Sequence, residues 1–306
     1  MADATTLAVQ HEFGSQHTEL KLSIVEGYLQ LYTKALRSRW PALWYIDAFA
    51  GTGSRTVRVA ARDGTLFEEP VAEMIEERRG SARIALEVQP HFDRLVFMEQ
   101  NPLHCQALEA LKADFPGRQI DILQGDANEL IRSEIDWDGW RKTRAVMFID
   151  PYGMEVDWTT LKAIADTRAI DVWYLFSLSG LFRQAARKVS SIDASKRAAI
   201  TRMLGTDEWE KELYAPPPQR DLLSILDEPE VAQRLADVKS LEAYVKRRLE
   251  TLFPLVLEPF PLPLDRGPQR FSLFMAVANK EPKAIALARR LGNHVLNSGK
   301  KSQVRP

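Results

Sequence analysis

The chain has 306 residues, 45% of them apolar, a formal net charge of −1 and a single cysteine. That length can bury one large core and a smaller lobe, and one cysteine excludes an internal disulfide or a cysteine-rich metal or iron–sulfur centre. No apolar run approaches the ~20 residues of a membrane span, and the first residues lack the basic start and apolar stretch of a secretory signal, so a soluble cytoplasmic protein is expected.

Residues 1–40 read as an N-terminal helical extension. Leu20, Ile24, Tyr28, Leu31, Tyr32 and Leu36 recur at helical spacing, a stripe suited to packing on a sheet. An α/β core is expected over 41–195. It opens with Trp44-Tyr45-Ile46-Asp47-Ala48-Phe49-Ala50-Gly51-Thr52-Gly53, an apolar run that ends in an acid and a glycine-rich turn. Glycine lets such a turn approach a ligand closely, because it has no side chain and tolerates positive φ. Three more apolar runs each bring an acid. These are 94–99, ending in Glu99; 120–127, with Gly125-Asp126-Ala127; and 145–153, with Asp150-Pro151-Tyr152-Gly153. Short runs rich in Val, Ile and Phe, separated by helix-like segments, predict parallel strands of a doubly wound, mostly parallel sheet. Ligands of such sheets sit outside the carboxyl ends of the strands, where these acids fall.

Asp47 and Glu99 are 99 − 47 = 52 residues apart, where a minimal βαβ unit places its acid roughly 20 on. An insertion is therefore expected, at about 80–92. The glycine turn lacks the third glycine of the dinucleotide fingerprint, and no Gly-Lys-Ser/Thr follows to form a phosphate-cradling loop. Cys105 falls in a helix-like segment and reads as a small packing residue. His11, His17, His91, His104 and His294 are scattered, so no metal site is expected.

Further along, 170–176 reads as the next strand, with Ser177-Leu178-Ser179-Gly180 leaving it toward the same cleft. A helical insertion lobe is expected over 196–254, broken by the proline run at 215–219, which stiffens a connection. Residues 255–306 return to the core with a strand over 270–278, and Pro282 opens a basic C-terminal helix. From Arg266 to the end, nine bases face one acid, 9 − 1 = +8, and Arg183, Arg187, Lys188, Lys196 and Arg197 make a second basic patch. Both patches suit phosphates and salt-sensitive binding to DNA or RNA; both also suit solvated helix faces.

The series Asp-x-Phe-x-Gly-x-Gly (47–53), Glu99, Gly-Asp-Ala (125–127) and Asp-Pro-Tyr-Gly (150–153) resembles the Rossmann-like methyltransferases that use S-adenosylmethionine. From His17-Thr18-Glu19-Leu20-Lys21-Leu22 to Phe271-Ser272-Leu273-Phe274 the whole chain resembles the three-Cys-motif partner protein family, TcmP. That family is methyltransferase-like and often encoded beside a three-cysteine, radical-SAM-like protein, a possible partner. The resemblance implies a cofactor site of Asp47, Phe49, Gly51, Gly53, Glu99, Asp126 and Ala127. Asp47 and the glycine backbone would surround the methionine end, Glu99 would accept from the ribose hydroxyls, and Asp126 from the adenine amine. Glu87 competes for the ribose role but precedes Gln89-Pro90, a loop signal.

Asp150, Pro151 and Tyr152 are the candidate catalytic residues. An Asp-Pro-aromatic turn after a buried strand can hold an exocyclic amine by its two hydrogens and stack its ring on a base. The same residues also make an ordinary turn. Amino-methyltransferases of nucleic-acid adenine usually carry Asp/Asn-Pro-Pro-Tyr/Phe; the single proline here looks more like tRNA guanine-N2 methyltransferases. Three functions stay open: N-methylation of a nucleic-acid base, N-methylation of a small-molecule or peptide amine, and cofactor binding without catalysis.

Overall fold

The computed structural model describes residues 4–59, 74–214, 233–263 and 269–303. In chain order the elements are α1 (Ala4–Leu36), β1 (Ala42–Asp47), β2 (Ser54–Val59), β3 (Met74–Arg79), α2 (Ser81–Glu87), β4 (Arg94–Glu99), α3 (Pro102–Ala113), β5 (Gln119–Gln124), α4 (Ala127–Ile135) and β6 (Thr143–Ile149). They continue with α5 (Trp158–Asp166), β7 (Ile170–Phe176), α6 (Leu178–Gln184), α7 (Ala194–Leu204), α8 (Trp209–Leu213), α9 (Val238–Glu250), β8 (Leu255–Val256), β9 (Phe260–Leu262), β10 (Phe271–Val277) and α10 (Pro282–Gln303). The class is the expected one, α/β with a mostly parallel, doubly wound sheet. Among the described residues no helix is long and apolar enough to cross a membrane.

The chain divides into two compact units, residues 1–130, 138–148 and 290–306, and residues 131–137 and 149–289. In the first, four parallel strands run in the order β5-β4-β1-β6. β1, β4 and β6 are buried over almost their whole length, which explains why they read as continuous apolar runs and not alternating ones. α1 covers one face of these strands. Its Tyr32 stacks on Phe92 at 6.4 Å between ring centroids, and Phe92 meets Tyr45 of β1 at 5.7 Å. α2 is the crossover helix between β1 and β4, burying Ala82, Ile84, Ala85 and Leu86.

The insertion expected at 80–92 lies elsewhere. Residues 80–92 hold the crossover helix, and the extra chain is an antiparallel pair, β2 with β3, in register from Ser54↔Arg79 to Val59↔Met74. Its base is closed where the Gly80 N–H donates to the Gly53 carbonyl at 2.9 Å. Gly80 thus ends the excursion.

In the second unit β10 pairs antiparallel with β7, β8 and β9. β7 is buried at every residue. The described residues of 196–254 are helical, in α7, α8 and α9, and Trp209, fully buried in α8, donates its indole N–H to Thr201 Oγ1 at 3.0 Å. The proline run at 215–219 lies outside the described residues.

Candidate ligand site at the strand ends

Asp47 ends β1 and is fully buried. Its carboxylate accepts from the Tyr45 hydroxyl at 3.2 Å and, more weakly, from the Phe49 N–H at 3.4 Å. The loop that follows is tied to both neighbouring strands: Ala48 N–H donates to Phe148 O of β6 and Ala50 N–H to Met98 O of β4, each at 3.0 Å. Gly51 and Gly53 have φ of +59° and +74°, a region that costs other residues roughly 1–2 kcal/mol. Their surroundings differ. A Cβ at Gly53 would lie 2.5 Å from Leu111 Cδ2, whereas one at Gly51 would meet no heavy atom within 4 Å. Gly53 is packed into the fold, and Gly51 borders open space.

Glu99 ends β4 with 7% of its surface exposed. Its Oε2 accepts from the Gly51 N–H at 2.9 Å and its Oε1 from the Asn101 N–H at 2.8 Å. One carboxylate therefore joins the glycine loop to the start of α3. An ionised carboxylate offers about four acceptor positions, so two backbone bonds leave capacity for a ligand. His104 Nδ1 lies 3.5 Å from Glu99 Oε1, without hydrogen-bond alignment, and is a charge partner when the imidazole is protonated. Cys105 is buried beside them, its thiol pushed up by burial first and by the Glu99 charge second. That is the state of a packing thiol, not a nucleophile. Glu87 is at the end of α2, paired with Arg79 at 3.0 Å and Arg83 at 4.0 Å.

Asp126 arrives beside this pair through the backbone, where Gly125 N–H donates to Glu99 O at 3.1 Å. Its Oδ1 accepts from Asn128 N–H at 2.9 Å and Glu129 N–H at 3.1 Å, capping α4, whose first residue, Ala127, is buried. The Asp126 side chain is exposed, and Phe49 is half-buried.

Lys21 also belongs to this face, although no motif marks it. It is 6% exposed, and its Nζ lies 5.8 Å from the centroid of Phe148, the β6 residue in register with Asp47. The sequence signal is its place in the helical stripe, three residues before Ile24 and seven before Tyr28.

In the second unit, Asp150 and Gly153 are half-buried, Pro151 is buried and Tyr152 is 79% exposed. Such exposure is unusual for a tyrosine and leaves the ring free to meet a flat partner. Met154 Cγ lies 3.4 Å from where a Cβ would stand on Gly180, so the chain leaving β6 touches the start of α6. Ser177 caps that helix by accepting from Gly180 N–H at 3.1 Å.

Of the basic residues, Arg183, Arg187 and Lys188 are exposed, while Lys196 pairs with Asp193 at 2.9 Å and Arg197 with Glu210. Lys280 precedes α10, and Lys283, Arg289, Arg290, Lys300 and Lys301 are exposed along it, without an ion pair among the described residues. Arg266 and Arg305 lie outside them. Among the described residues no cluster of three His, Cys, Asp or Glu could hold a metal ion.

No family model matches the chain, and no curated protein matches it. Among solved structures, it is similar to a Legionella pneumophila protein described by the family model DUF519, at 12% identity over 90% of this chain and 92% of that one, TM-score 0.45. It is similar to spermidine synthase from Thermotoga maritima, at 12% identity over 92% and 70%, TM-score 0.39. It is also similar to an S-adenosylmethionine-dependent methyltransferase from Clostridium acetobutylicum, at 8% identity over 82% and 91%, TM-score 0.35. At these identities and scores the likenesses identify no family, and the chemistry of the site rests on this chain's own residues.

Proposed function

We propose that the protein is an S-adenosylmethionine-dependent N-methyltransferase acting on an exocyclic amine of a nucleic-acid base. The observation that carries this reading is the bond from Gly51 N–H to Glu99 Oε2, 2.9 Å, which draws a positive-φ glycine loop, the buried Asp47 and a buried strand-end acid together. The residues fit the cofactor. Gly51 borders open space, Glu99 keeps acceptor capacity for a ribose diol, and Asp47 offers a carboxylate to an ammonium. Ionised acceptors give the stronger bonds these groups call for. When bound, the cofactor supplies an electrophilic methyl on a cationic sulfur.

The chain's own work is positioning. The Asp150 carboxylate and the Pro151 carbonyl accept the two hydrogens of the amine and orient its lone pair for attack. Tyr152 stacks on the base, a contact worth ~1–3 kcal/mol. Asp150 then takes the proton the nitrogen must lose. The exposed bases of α10 and of 183–188 attract phosphates, in keeping with a polymer substrate. The reading is of a cytoplasmic enzyme, consistent with a single cysteine.

A second reading follows from Tyr152 coming directly after one proline: a cofactor-binding partner without turnover, as the resemblance to the three-Cys-motif partner family suggests. Transfer of radiolabelled methyl into DNA, RNA and protein pools separates the two. Label in a nucleic-acid pool that disappears with Asp150→Ala supports the enzyme. Label that persists in the variant removes Asp150 from the chemistry. Cofactor binding with no label in any pool favours the second reading.

A further inference from the structure

Lys21 is a buried cation in a helix face that is otherwise apolar or aromatic, at 6% exposure. Removing an ammonium from water costs several kcal/mol unless opposite charge compensates it, so its location calls for a reason. α1 crosses the sheet face that carries Tyr45, Asp47 and Phe148. Tyr32 reaches Phe92, which meets Tyr45 in mid-strand. Lys21 comes 32 − 21 = 11 residues earlier, about 16 Å back along the helix. There its Nζ sits 5.8 Å from the Phe148 centroid, near the carboxyl end of β6. Phe148 and Asp47 are partners in parallel register, so their side chains lie side by side on one face, about 5 Å apart at the backbone. A buried ammonium and a buried carboxylate therefore share the strand end from which the Gly51 loop departs.

We infer that Lys21 and Asp47 form a two-charge subsite for the zwitterionic α-amino-acid end of the ligand. Asp47 accepts from the α-ammonium, and Lys21 donates to the α-carboxylate. The pair is net neutral, as is the group it takes, so binding leaves no uncompensated charge in a water-poor site. The subsite selects: an amine lacking the carboxylate meets Asp47 but leaves Lys21 without its acceptor. This assignment rests on the cofactor reading above, to which it adds Lys21 as a binding residue and the carboxylate as the group that Lys21 reads.

Calorimetry on the full chain tests it with three probes: S-adenosylhomocysteine, its decarboxylated analogue, and 5′-methylthioadenosine, which lacks the amino-acid end. The wild type is expected to prefer S-adenosylhomocysteine over the decarboxylated analogue by roughly 10- to 100-fold, the range of a hydrogen bond to a charged group. Lys21→Met is expected to abolish that preference while keeping 5′-methylthioadenosine affinity, and Lys21→Arg to retain part of it. Thermal melts accompany each variant, and Lys21→Arg carries the test if Lys21→Met does not fold. A wild type that binds the first two probes equally overturns the subsite alone. So does a Lys21→Met protein that keeps the preference or loses all three probes together. A wild type that binds none of the three overturns the cofactor reading and the subsite with it.

Discussion

In the first unit the buried charged side chains Lys21, Asp47 and Glu99 lie toward the carboxyl ends of parallel strands, beside a glycine loop that borders open space. In the second unit the buried polar side chains serve the fold itself. Ser177 caps α6, Thr160 accepts from Arg132 at 3.0 Å, and the Ser272 hydroxyl donates to Glu242, which also accepts from Gln269 at 2.6 Å. Both units satisfy buried polarity, as they must. The difference is in what remains afterwards. A hydroxyl that caps a helix has done its work, whereas a carboxylate holding two backbone N–H groups keeps acceptor positions. Residual capacity next to open space, more than burial alone, separates a ligand site from scaffolding.

The largest effect expected from breaking that contrast is at Glu99. Glu99→Ala orphans the Gly51 and Asn101 N–H groups, and about 1–3 kcal/mol for each buried donor left unpaired predicts a loss of several kcal/mol in denaturant unfolding. Glu99→Gln retains an acceptor and should lose markedly less, yet still lose cofactor affinity. Gly53→Ala comes next, at roughly 1–3 kcal/mol of stability, because its Cβ would press on Leu111 in addition to the φ penalty. Gly51→Ala carries only the φ penalty of about 1–2 kcal/mol, but puts a methyl where the ligand approaches, so calorimetry should register it more strongly than thermal melting. Ser177→Ala in the second unit is expected to cost about 1 kcal/mol through the lost cap and to leave ligand affinity unchanged. A drop in affinity there would break the comparison.

The smallest effect is a pH dependence. Asp237 caps α9, and the Ser240 hydroxyl and amide hold its carboxyl below the usual range; Asp193 caps α7 and is lowered by the Lys196 amide and ammonium. A folded value below the unfolded one, about 3.9, adds stability above that pH, and the gain disappears as pH falls through the lowered value. The melting difference between wild type and Asp237→Asn should therefore be present at neutral pH and vanish in strong acid.

The strands of the fold were legible because burial on both faces writes them as unbroken apolar runs, as in 94–99 and 170–176. The β2–β3 pair was not: Ser54–Val59 and Met74–Arg79 carry four arginines, two glutamates and little apolar content. Gly80 and Pro90 look like punctuation for a loop, yet enclose a crossover helix whose four buried residues are small or aliphatic. At the site, Asp47, Gly51 and Glu99 were legible from their place after apolar runs. The capping role of Asp126 was hidden, since Gly-Asp-Ala reads the same whether its carboxylate faces a ligand or a helix N-terminus. Lys21 was hidden because a stripe is read by its apolar members, and a lysine stem packs as one of them.

The 2.9 Å bond between Gly80 and Gly53 brings the two ends of the β2–β3 excursion to one point behind the glycine loop. A chain whose ends are pinned this way can change length at little entropic cost, about 0.6 kcal/mol for each doubling. The stretch from 54 to 79 is thus a natural graft point: a shorter turn, a tag or a small foreign domain placed there should leave the strand-end acids where they are, giving the scaffold a port for new modules.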